Sequence, residues 1–140
     1  MKKYVLLLIA VLSGLISVTG LANSGPTVET TVKMFKPENQ SLAREFLTVK
    51  EKSTQQNFIR LINKELKAEI LFEEEYKSGK FVEISDNVTK EQVDKIEDLA
   101  QSITDSAMKE KNFEAAVLGA SLVNTANVKS VDLKLKAKAK

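Results

Sequence analysis

The chain has 140 residues with 21 basic and 19 acidic side chains, no Cys, no His and no Trp. Without Cys and His, Ser-His-Asp and Cys-His nucleophilic sites are excluded, zinc and copper lose their usual ligands, and no disulfide can staple the fold. What remains is room for one domain with one packed core, and a surface rich in both charges.

Met1-Lys2-Lys3 is a short positive segment, Tyr4 to Val18 is apolar, and Gly20-Leu21-Ala22 sets small residues three and one places before a cut. This is the form of a secretory signal peptide cleaved between Ala22 and Asn23. An uncleaved anchor is the alternative, but Ser13, Gly14, Ser17, Thr19 and Gly20 dilute the second half of the apolar run. No cysteine stands at the cut, so lipid attachment there is excluded. Cleavage removes 22 of the 140 residues and leaves 118, with no transmembrane segment expected afterwards and a periplasmic or secreted destination.

The remaining 118 residues carry 19 basic and 19 acidic groups, unevenly placed. Residues 23–64 hold +3, residues 65–98 hold −6, residues 99–127 hold −1 and residues 128–140 hold +4. Such a division suits self-association or a charged partner, and a solvated helical surface produces it as well.

Residues 23–36 form an extended arm or linker in this reading, because Thr27 to Phe35 alternates with Val28, Thr30, Val32 and Met34 on one side. Residues 37–127 make the helical domain. Pro37 suits a first helical turn, and Leu42, Phe46 and Val49 follow at helical spacing. Ser53 and Gln56 fit a capping box that opens a second helix, with Ile59, Ile62, Leu66 and Ile70 on its buried stripe. Phe72 to Ile84 reads either as a continuing helix or as a hairpin around Lys77 to Lys80. We expect helix to Tyr76, then a short strand from Phe81 to Ile84. Thr89 and Gln92 cap the next helix, whose stripe is Val93, Ile96, Leu99/Ala100, Ile103 and Ala107.

A turn over Lys109 to Asn112 then leads into Phe113 to Ala126, whose sole charge is Glu114. Fourteen residues cannot span a bilayer, so this run is expected to be the central buried helix, paired antiparallel with the one before it. Burial of Phe113, Val117, Leu118, Leu122 and Val123 would each contribute about 1.5–3 kcal/mol. Residues 128–140 alternate at Val131, Leu133 and Leu135 and then become lysine-rich, which reads as a strand or frayed basic tail. The fold class is therefore mainly α: three to four helices, with short accessory β-strands as an option.

Candidate chemistry is sparse. Ser106-x-x-Lys109 matches the Ser-x-x-Lys of penicillin-recognising enzymes, but their Ser-Asp-Asn and Lys-Thr-Gly partners are absent and the chain is too short. Glu73-Glu74-Glu75 and Asp94/Asp98 offer carboxylates without the loop spacing of a calcium site. No catalytic, metal or cofactor residue is assigned. Lys134, Lys136, Lys138 and Lys140 are the candidate partner surface, for an unidentified protein or an anionic envelope component. Nucleic acid is not expected, since the tail lacks interleaved aromatics. The functional expectation is an exported, non-enzymatic interaction protein, such as an adaptor, chaperone-like or envelope-associated component. A surface binder using the lysine tail is second and a carboxylate-based hydrolase third.

Overall fold

Thr27 and Thr30 cap each other at the start of the first element: each backbone N–H donates to the other's hydroxyl, at 2.8 and 3.2 Å. The structure, a computed structural model, describes residues 25–139, so the expected cleavage position between Ala22 and Asn23 lies outside it. The capped element is a short helix, α1 (Val28–Val32), where the alternation predicted an extended arm. Local caps satisfy the first-turn donors, and the helical turn buries Val28, Thr31 and Val32 together. β-Branched composition is a weak guide when packing on a neighbour decides.

Helix α2 (Pro37–Thr48) starts at Pro37 as expected and buries Ala43, Phe46 and Leu47. Its first turn is capped from a distance. The buried Glu65 carboxylate accepts from the Lys36 N–H and the Asn39 amide, both at 2.9 Å. Arg44 of α2 holds Glu29 of α1 through two nitrogens at 3.0 Å each.

After a 3-10 turn (Lys50–Lys52), α3 (Gln55–Leu66) begins one residue later than the capping-box reading placed it. Thr54 is the cap, accepting from the Asn57 N–H at 3.2 Å, because the Ser53 hydroxyl is committed to the Phe46 carbonyl at 2.6 Å. Phe58 of α3 stacks on Phe46 with ring centroids 5.2 Å apart.

The helix expected to run to Tyr76 instead stops at Leu66, and Phe72 to Ile84 belongs to a hairpin. Lys67 adopts a left-handed conformation (φ 55°) that ends α3. Asn63 then captures the returning chain, accepting from the Ile70 and Leu71 N–H groups at 3.0 and 2.8 Å and donating to the Leu71 carbonyl at 2.9 Å. Strands β1 (Leu71–Tyr76) and β2 (Gly79–Ile84) pair antiparallel from Leu71↔Ile84 to Tyr76↔Gly79. Lys77 and Ser78 form the two-residue loop, and Gly79 follows at φ 136°, a region open mainly to glycine. Leu71, Val82 and Ile84 face the core, whereas the three successive glutamates alternate sides.

Helix α4 (Lys90–Lys109) has the expected capping box, with Gln92 N–H to the Thr89 hydroxyl at 3.1 Å and Thr89 N–H to the Gln92 amide oxygen at 2.9 Å. Its stripe of Val93, Ile96, Leu99, Ala100, Ile103 and Ala107 is fully buried. Lys111 (φ 58°) reverses the chain into α5 (Phe113–Ala139). The two helices lie antiparallel, with Gly119 against Thr104 and, further along α5, Lys129 bonded to Asp86 before the start of α4. Residues 128–139, expected as a strand or frayed tail, continue this helix. Leu133 packs on the core, Lys136 pairs with Asp132 one turn back at 3.3 Å, and Ala, Leu and Lys all favour helix. The fold is thus mainly helical with one small antiparallel hairpin, and no helix among the described residues is long and apolar enough to cross a membrane.

Candidate functional site: the outward face of the last helix

Phe113 to Ala126 makes its closest approach to the domain through its small residues. Ala115, Ala116, Gly119, Ala120, Thr125 and Ala126 are buried, with Leu122 the single bulky residue among them. At Gly119 the approach is so close that a Cβ would stand 2.4 Å from Thr104 Oγ1 and 2.9 Å from the Ala100 carbonyl oxygen. Close backbone approach gains dense contact along the whole length of α4.

The expected core set is corrected accordingly. Leu122 is buried and Leu118 and Val123 pack partly buried against the core as expected, whereas Val117 is half-buried outside it and Phe113 is 49% exposed. The bulk turned outward continues past Ala126: Val128 is 57%, Val131 56% and Leu135 62% exposed. Along this side Val117, Ser121, Asn124, Val128, Val131 and Leu135 recur at alternating steps of four and three. At 100° per residue these positions form one stripe, opposite the face formed by Ala115, Gly119, Leu122 and Ala126.

The lysines named as a partner surface do not act as one group. Lys134 and Lys138 lie one turn apart on one shoulder of the stripe, while Lys136 sits on the other and is bonded to Asp132. Lys140 lies outside the described residues. Beside Lys136, Asp86 is held below the ordinary carboxylate value, first by its hydrogen bond from Lys129 and then by the charges of Lys129 and Lys136.

Elsewhere the candidate chemistry resolves into structure. Ser106 is fully buried among hydroxyls, with Thr31 Oγ1 at 3.1 Å and its own hydroxyl donating to the Ser102 carbonyl at 2.8 Å. Lys109, the other half of that motif, donates instead to the Gly25 carbonyl. Neither group is placed to activate the other. Glu73 accepts from the Gln55 amide at 2.9 Å, Glu74 and Glu75 are exposed, and Asp94 pairs with Lys90. No group of three or more acidic side chains among the described residues could hold a metal ion. Asp105, on α4, has its carboxyl pushed up by burial, partly offset by a hydrogen bond from Gln101.

Sequence reasoning missed the stripe. Its four-three spacing was present from Val117 to Leu135, but Ser121 and Asn124 interrupt the apolar signal and Leu133 imitates strand alternation. Comparison with protein-family models, with curated proteins and with solved structures finds no match for this chain.

Proposed function

We propose that this is an exported, non-enzymatic interaction protein that works through the outward stripe of α5. The observation that carries the reading is the run of exposed Phe113, Val128, Val131 and Leu135 on a helix whose opposite face is already packed. Exposed apolar side chains aligned on one element, rather than scattered singly, are the mark of a contact surface. The polar and charged shoulders around them match the composition of an interface rim. Export rests on the positive, apolar and small-residue pattern of residues 1–22. The reading that uses the lysine tail is weaker, because α5 turns Lys136 away from Lys134 and Lys138.

The test is a photo-crosslinking amino acid placed at Val131, with a second at the exposed Glu91 on α4 as control. In cells, Val131 should give adducts of discrete mass and Glu91 none. Absence of any adduct from Phe113, Val128, Val131 and Leu135 alike would sink the proposal.

A further inference from the structure

The geometry points to a second copy of this chain as the occupant of the stripe, with the two α5 helices antiparallel about a two-fold axis between Asn124 and Val128. This inference rests on the reading of the stripe as a contact surface and names its partner. Steps of four and three average 3.5 residues, the spacing that keeps a helix face on a partner helix along its whole length. Over Val117 to Leu135 the stripe spans about 27 Å.

Antiparallel pairing about that axis sets Val117 against Leu135 of the second copy, Ser121 against Val131, and Asn124 against Val128. In each layer the residue from the N-terminal half of the stripe is the smaller of the pair. One layer further out, Glu114 faces Lys138 of the second copy, so both ends of the seam close with opposite charges. Glu114 and Lys138 are both exposed and lie on the same four-three series, which gives them this position. The two Asn124 residues come within about 6 Å of each other along the axis, where a central polar pair can set the register. Parallel pairing fails on the same residues: it would stack Glu114 on Glu114 and Lys138 on Lys138, and like charges disfavour that arrangement. The domain leaves room for a partner helix, because α4 occupies the opposite side of α5. An interface made this way is isologous and closes at two copies.

Sedimentation equilibrium of the protein expressed from its full-length sequence should give twice the chain mass in the micromolar range. Val128→Glu with Leu135→Glu should weaken the dimer at least about tenfold while leaving the circular dichroism and melting transition of a folded domain. Glu114→Lys alone should weaken it, and Glu114→Lys with Lys138→Glu should restore it. Because the chain has no cysteine, direction can be read by disulfide trapping. Val117→Cys mixed with Leu135→Cys should cross-link on oxidation, and Val117→Cys alone should not. A single-chain mass at about 100 μM, or efficient cross-linking of Val117→Cys by itself, would overturn the assignment. A single-chain mass together with Val131 adducts to a different protein overturns the two-copy pairing alone. A single-chain mass with no adduct overturns the contact surface as well.

Discussion

The side-chain amide of Asn112 donates to the Leu47 carbonyl at 2.9 Å, joining residues 65 apart in the sequence. The same nitrogen donates to Ser53 Oγ at 2.8 Å, and the Asn112 side-chain oxygen accepts the Ala115 N–H at 3.4 Å. One buried amide therefore caps the start of α5 and satisfies the carbonyl end of α2. Asn112→Ala should cost about 2–4 kcal/mol, since it leaves the Leu47 carbonyl unpaired in the core and removes a helix cap. Urea unfolding checks it. A loss below about 0.5 kcal/mol would show that the cap and the link are dispensable.

Gly119→Ala should destabilise by about 1–3 kcal/mol, against the usual gain from replacing helical glycine. The new Cβ meets Thr104 Oγ1, which can move, and the Ala100 carbonyl oxygen, which cannot without shifting α4. Adding Thr104→Ala should recover only part of the loss. Thermal melts of the three variants decide, and a more stable Gly119→Ala would disprove the close approach.

Leu122 and Leu135 are the same residue type on one helix with opposite fates, 1% and 62% exposed. Leu122→Ala should cost about 2–5 kcal/mol through lost burial and a cavity. Leu135→Ala should change the stability of the isolated domain by less than about 0.5 kcal/mol. Measuring both at low protein concentration keeps association out of the comparison. Equal losses would mean that the outward stripe is part of the core.

Two carboxylates should respond to acid with opposite sign. Asp86 has a folded pKa below its ordinary value, so its contribution to stability is present above the unfolded pKa and is lost as pH falls through the folded one. Asp105 has a folded pKa above its ordinary value, so its charged form opposes folding at neutral pH and this penalty vanishes on protonation. Asp105→Asn, which retains an oxygen for the Gln101 amide, should therefore raise the melting temperature at pH 7 and lose that advantage near about pH 3. Asp86→Asn should lower it at pH 7, with the difference closing in acid. The melting difference of each variant from the parent, followed against pH, checks both signs.

Export predicts a polypeptide that begins at Asn23. N-terminal sequencing of the protein from the cell envelope or the medium reads this directly. An intact Met1 in the membrane pellet would identify an anchor instead.

The helices were legible wherever a local cap and a one-sided stripe coincide. Thr89, Gln92 and the six-position stripe that follows specify α4 within a single segment, and Pro37 does the same for the start of α2. The reading failed where a distant residue decides. Whether Glu69 to Tyr76 continues α3 or reverses into a strand depends on the Asn63 side chain reaching Ile70 and Leu71. Three consecutive glutamates carry helix propensity that this contact overrides. Thr27 to Phe35 misled for a related reason, since β-branched residues capped by their own hydroxyls fold as a helical turn once distant α4 offers Ser102 and Ser106 to Thr31.

By itself, the sequence determined that there is no cysteine or histidine chemistry, that helices dominate, and that Phe113 to Ala126 is one of them. It could not determine which side of that helix is inside. Hydrophobicity argued for Phe113, Val117 and Leu118, but burial is settled by how closely two backbones can approach, and that is a property of the pair. Opposite α4, the side of α5 carrying Ala115, Gly119 and Ala126 lets the axes close, so these small residues went in beside Leu122 while Phe113 was left on the surface.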